Sequence, residues 1–147
     1  MRFHSAAYTH AAGVISSQDN FVAINSAIEV DLLGQCNAEM LGGRQISGAG
    51  GFHDFQRGAA GSNGGRSIVA LPSSAGGASR IVARLPAGVA TGPRNDADYI
   101  VTEYGAAELE GRTVRERGEA LAAIAHPQFR DALLAAALRA AGVAFGI

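Results

Sequence analysis

Three short apolar runs, each cut off at its C-terminal end, limit the folds open to this 147-residue chain. Ser67 to Leu71 (SIVAL) is stopped by Pro72, Arg80 to Leu85 (RIVARL) by Pro86, and Tyr99 to Thr102 (YIVT) is followed at once by Glu103. The runs are continuous rather than alternating and too short for helices, which fits strands of a buried parallel sheet. Upstream, Phe21 to Leu33 is rich in β-branched residues. There Ile28, Val30 and Leu32 alternate with Glu29 and Asp31, the period of a half-buried strand. Asn25-Ser26 either separates two strands or sits within one bent strand. Downstream the period changes. Thr113 followed by Glu116 forms a capping-box pattern ahead of Val114, Leu121, Ile124 and Ala125. Pro127 ends that helix and opens a second one carrying Phe129, Leu133, Leu134 and Leu138. Residues 1–20 lack a period and read as an extended lead-in. Strands first and helices last make the chain α/β or α+β, a single domain over residues 1–147.

Composition narrows the functions. The chain is 48% hydrophobic and only 17% charged, against roughly 25% charged in an average soluble domain. That balance excludes intrinsic disorder and leaves apolar surface for a partner to cover. A net charge of -1, with no basic stripe, excludes nucleic acid as a partner. All 12 basic residues are arginine, so no lysine-dependent chemistry is open to the chain. Cys36 stands alone beside Gly34, Gln35 and Asn37, without a base, and reads as a small buried residue. The N-terminus MRFHSAAYTH has no signal-peptide core, and no apolar run is long enough to span a bilayer. A cytoplasmic protein without membrane contact is expected.

Glycine accounts for 20 residues and clusters between Gly42 and Gly65, around GAGGFHDFQRG (48–58). Adjacent glycines let backbone amides converge on a ligand. If Phe52 onward is helical, those amides open a helix, where partial positive charge favours an anion or oxyanion. The same residues also fit a tight turn with no ligand. Glu103, at the end of an apolar strand, falls where carboxylates line binding crevices of α/β sheets, or caps the turn that follows. His10, His53 and His126 lack metal-ligand spacing, so no metal site is expected. Asp54, beside His53, reads as holding the loop.

The ordered blocks AINSAIEVDLLGQCNAE (23–39), GAGGFHDFQRGA (48–59), GGRSIVALPSSA (64–75), SRIVARL (79–85), DADYIVTEYGAAELEGRTVRER (96–117) and IAHPQFRDAL (124–133) resemble the C-terminal domain of the acetyl-CoA hydrolase/transferase family. The resemblance implies an open-sheet fold of the CoA-transferase-like (NagB/RpiA-like) class with C-terminal helices. It implies CoA and acyl-CoA as substrates rather than permanent cofactors, a small carboxylate as co-substrate, and a homo-oligomer. CoA would pass between acyl groups through an enzyme glutamyl-CoA thioester, with water replacing the carboxylate in a hydrolase. A non-catalytic domain that binds CoA or self-associates is the other reading. The family's nucleophilic Glu lies in a GxHxE-type segment upstream of the RFHS-like stretch. The expectation is therefore that the nucleophile and the N-terminal domain lie outside this chain, in an N-terminal catalytic domain or a companion chain, and that the chain alone is inactive. By resemblance Gly51 is the oxyanion donor, Glu103 lines the active site, and His10 falls near the nucleophile. Gly50, Gly51, Phe52, Arg66 and Gly76 are the expected CoA contacts. Phe52 departs from the family's GGQ-x-DF pattern, and a lysine common near the Ala75-Gly76-Gly77 position is missing.

Overall fold

A computed structural model describes residues 2–86 and 88–143, the side chains of 141–143 excepted. Two short helices, α1 (Ala6–Thr9) and α2 (Ala12–Ser16), occupy the stretch expected to be extended. Neither has a side-chain cap. What holds α2 is packing: Ile15 is buried on α3 (Phe52–Gly61), where Gly58 leaves room for it. Between them come β1 (Val22–Ser26), β2 (Glu29–Asp31), β3 (Cys36–Asn37) and the hairpin β4 (Met40–Leu41) and β5 (Arg44–Gln45). After α3 the chain forms β6 (Arg66–Ala70), the small hairpin β7 (Ser74–Ala75) and β8 (Ala78–Ser79), and β9 (Ile81–Val82). It closes with β10 (Tyr99–Thr102), β11 (Gly105–Glu108), α4 (Val114–Ala123) and α5 (Pro127–Val143).

The main sheet has the order β1-β6-β10-β11, the first three strands parallel and β11 antiparallel. The SIVAL and YIVT runs are its two central strands. The RIVARL run is not a third. Only Ile81 and Val82 pair, and they do so in parallel with β2 in a separate sheet of order β3-β2-β9. The chain therefore breaks after Ser26: β1 and β2 join different sheets. Glu29 and Arg80, both largely buried, face each other at 3.7 Å across β2 and the start of β9. Asp31 fixes the next turn by accepting from the Leu33 and Gln35 amides at 3.0 Å and the Gln35 side chain at 2.8 Å.

One core joins everything. Val30, Cys36, Phe52, Val69, Ile81, Ile100, Leu109, Leu121 and Leu133 belong to a single buried cluster. The Cys36 thiol is buried and its pKa is pushed up to about 12, first by desolvation and then by Asp31, so it is unreactive. The capping box forms as the pattern predicts: the Glu116 amide donates to Thr113 Oγ1 at 3.3 Å, and the Thr113 amide donates to Glu116 Oε2 at 2.8 Å. The helices α4 and α5 pack closely at Gly118, where a Cβ would sit 2.6 Å from Ala137 Cβ. Gly118→Leu is expected to destabilise the domain by roughly 1–3 kcal/mol through overpacking, against about 1 kcal/mol for loss of the cap in Thr113→Ala. Urea unfolding of both variants checks the ranking.

Candidate active-site edge

Helix α3 is the crossover between the parallel strands β1 and β6, so it runs antiparallel to them. Its N-terminus consequently lies at the edge where β1, β6 and β10 end, the edge at which open α/β sheets carry their ligands. Three features come to this edge: the glycine loop, the Pro72–Gly77 segment and Glu103.

In the loop Gly50 has φ +54°, a left-handed conformation that glycine alone adopts at little cost, and it turns the chain into the helix. Gly51 is the N-cap, and no side chain caps the helix start. The first-turn amides of a helix have no intrahelical partner and carry partial positive charge. His10, at the end of α1, lies against this loop. A Cβ on Gly51 would sit 2.7 Å from its ring and 2.9 Å from the Phe55 ring. The His10 and Phe55 rings meet edge-on with centroids 5.0 Å apart, and His10 Nδ1 lies 3.1 Å from the Thr9 hydroxyl. Structure thus brings together His10, Gly50 and Gly51, residues up to 41 positions apart in sequence.

Glu103 is exposed, and both its oxygens are engaged. Oε1 accepts from the Ser73 hydroxyl at 2.6 Å and Oε2 from the Ser73 amide at 2.9 Å. These bonds, the hydroxyl's first, lower its pKa, as do a backbone hydrogen bond at Glu103 itself and the charge of His126, against desolvation. Ser73 is fully buried. It is the partner the sequence reading missed, because a contact across 30 residues leaves no local pattern. A second group missed in the sequence flanks Glu103. The Arg130 guanidinium carbon lies 5.2 Å from the Tyr104 ring centroid. His126 meets that ring edge-on at 5.7 Å. Arg130 is steadied by donating through Nε to the Ala125 carbonyl at 2.8 Å. Gly76 lies at the exposed turn of the β7–β8 hairpin with φ +60°.

Two expected contacts have side chains turned away from this edge. Phe52 is 6% exposed and packs in the core against Gly92, one turn from the buried Gln56. Position decides this: Phe52 and Gln56 are four residues apart, on the face of α3 that looks inward. Arg66 begins β6, at the opposite end of the strand from Glu103. It borders a cleft of about 170 Å³ with Gly64, Asp96, Asp98 and Glu110. That cleft is acidic, and burial raises the Asp98 pKa against the opposing hydrogen bond from the Ser67 amide. His53 Nδ1 lies 3.4 Å from Asp96 Oδ2. Among the described residues no cluster of three or more metal-ligating side chains occurs, and no helix is long and apolar enough to cross a membrane.

The fold and this edge define an open α/β domain with an uncapped helix start and a hydrogen-bonded carboxylate at the strand ends. The family model for the acetyl-CoA hydrolase/transferase C-terminal domain matches residues 1–137, and the chain belongs to that family. It is 51% identical over 134 residues to a 4-hydroxybutyrate coenzyme A transferase of Clostridium kluyveri, covering 89% of this chain and 31% of that protein. A more distant relative, 33% identical over 125 residues, is an acetyl-CoA hydrolase of Yarrowia lipolytica, with 78% of this chain and 22% of that protein covered. The crystal structure of a 4-hydroxybutyrate CoA-transferase from Porphyromonas gingivalis superposes with a TM-score of 0.77 at 45% identity, over 93% of this chain and 31% of that one. The chain spans about a third of the length of the transferases it matches.

Because Ser73 lowers the Glu103 pKa, Glu103 adds stability that is present above the usual glutamate range and is lost as pH falls through the lowered value. Titration of Glu103 by carboxyl NMR should give a midpoint below that of an unperturbed glutamate, and Ser73→Ala should move it upward. An unchanged midpoint in Ser73→Ala would remove the assigned cause.

Proposed function

We propose that this domain forms one wall of a CoA-transferase active site and supplies its oxyanion cradle and a fixed negative charge. The observation that carries the reading is the convergence of the Gly50-Gly51 loop, His10 and the Ser73-held Glu103 on one sheet edge. In the reaction a glutamate carboxylate from the polypeptide outside these residues attacks the thioester carbonyl of an acyl-CoA. The tetrahedral adduct collapses with loss of CoA thiolate and leaves a mixed anhydride. The thiolate then attacks the glutamyl carbonyl, releasing the acyl carboxylate and forming the glutamyl-CoA thioester. A second carboxylate repeats the steps in reverse, so the kinetics are ping-pong.

Each tetrahedral adduct places negative charge on a carbonyl oxygen. The Gly51 amide, at the uncapped start of α3, is the donor assigned to it. His10 and Phe55 restrict the loop by packing on Gly51, which keeps the amide aimed with little reorganisation. Glu103 is not the nucleophile in this scheme. Both its oxygens are committed to Ser73, which suits a fixed orienting charge beside the Pro72–Gly77 segment. CoA and acyl-CoA are substrates and no permanent cofactor is invoked. Transfer is preferred over hydrolysis because the transferases match at 51% identity and the hydrolase at 33%.

The test is CoA exchange between an acyl-CoA and a labelled carboxylate. It is run on the chain alone and on the chain assembled with a polypeptide equivalent to the N-terminal two-thirds of the C. kluyveri relative. Exchange is expected only in the assembly. Gly51→Pro, which deletes the amide donor, should lower kcat about 10²–10³-fold beyond the steric control Gly51→Ala. Equal loss in the two variants would refute the donor assignment. Absence of exchange in every assembly would refute the transferase reading.

A further inference from the structure

The β7–β8 hairpin stands at the ligand edge, and little within it fixes where it points. Its ladder is two residue pairs, Ser74 with Ser79 and Ala75 with Ala78, and a lone two-stranded hairpin is at best marginally stable in water. Gly76 and Gly77 form its turn, both left-handed at φ +60° and +77°, as a two-residue hairpin loop of this kind requires. At neither glycine would an added Cβ meet another atom within 4 Å, so no described residue packs on the tip. The aim of the tip is therefore set at its base.

Two legs meet at that base, and each is pinned to a different sheet. The Arg80 amide donates to the Ser73 carbonyl at 2.9 Å and closes the hairpin. The Ser73 leg is fastened to the end of the main sheet through Glu103, which accepts from the Ser73 hydroxyl and amide. The Arg80 leg is fastened to the β3-β2-β9 sheet, where its carbonyl accepts from the Val30 amide at 2.9 Å. Its side chain reaches Glu29 on the neighbouring strand, with Nη1 3.7 Å from Oε1. These two side chains are only 18% and 14% exposed, so salt screens the pair little. Removing either partner leaves the other charge in a buried place without its counter-ion. Backbone bonds hold Arg80 in register with β2. The ion pair adds a second tether between the same two strands, at the point where the hairpin leaves them.

We infer that Glu29 and Arg80 are positioning residues of this site, their ion pair aiming the Ser74–Ser79 hairpin as a wall for the CoA thioester. The role of the wall rests on the CoA-transferase reading; the two pins at its base do not.

Glu29→Gln keeps the size of the side chain and removes its charge. Arg80→Gln removes the pair from the other side and carries the test should the first variant fail to fold. Thr113→Ala, at the N-cap of α4, controls for a general loss of stability. Amide hydrogen exchange is followed in the chain alone. Both pair variants are expected to exchange the Ser74–Ser79 amides about tenfold faster than Thr113→Ala does, through local opening of the hairpin. In the chain assembled with the C. kluyveri N-terminal polypeptide, both are expected to raise KM for acyl-CoA about tenfold with kcat changed less than about twofold, the pattern of lost uniform binding. Hairpin exchange no faster than in Thr113→Ala overturns the tether. Faster exchange with an unchanged KM, in an assembly that transfers CoA, overturns the positioning role and leaves the transferase reading standing. Absence of transfer by the unmutated assembly overturns the reading together with the role of the wall.

Discussion

The parallel pairing of β1 with β6 across helix α3 is the constraint from which the rest of this domain follows. A parallel pair cannot be closed by a hairpin, so the chain must return along the sheet, and α3 is that return. Its direction is then fixed, and with it the placement of the glycine loop at the ends of the strands. The same pairing brings Ala70 beside Val101. Leu71 continues the contact by donating from its amide to the Val101 carbonyl, which carries Ser73 to Glu103. The cradle and the carboxylate are thus two products of one register.

Electrostatics at this edge are arranged without a large local charge. The start of α3 offers backbone amides, and the carboxylate is stabilised by a hydroxyl and an amide rather than by an arginine. Neutral donors fixed in place leave Glu103 negative without neutralising it. Arg130 is turned instead to the Tyr104 ring and the Ala125 carbonyl. A separate cluster of charged groups lies on the side of α3, where Asp96 meets His53 at 3.4 Å and Arg57 at 3.6 Å and ties the N-terminal half of that helix to the one-turn helix Arg94–Asp96.

What could be read from the sequence was whatever depended on neighbours in the chain. SIVAL and YIVT became strands, the Thr113–Glu116 box capped a helix, and Pro127 began the next one, all from local chemistry. The resemblance gave the family outright. The departures at RIVARL and the lead-in share a cause, since each turned on a partner distant in sequence. RIVARL has the composition of a core strand, yet pairing with β2 claimed only Ile81 and Val82. In the lead-in, α2 is held where Ile15 packs over Gly58, a contact across 43 residues. Phe52, an expected CoA contact by resemblance, has its side chain in the core, where the helix period turns it. Arg66, also an expected CoA contact by resemblance, begins β6 at the other end of the strand from Glu103. Ser73, the partner of Glu103, had no signal at all.

The central claim is that the edge formed by Gly50, Gly51, Ser73 and Glu103 is the one that faces CoA. Chemical-shift mapping tests it most directly, with the 147-residue chain labelled with ¹⁵N in the assembled protein and titrated with CoA. The account predicts perturbed amides at Gly50 to Asp54, at Ser73 to Gly77 and at Glu103 and Tyr104. Perturbations confined to Gly64–Arg66 and Asp96–Asp98, at the opposite end of the strands, would contradict it.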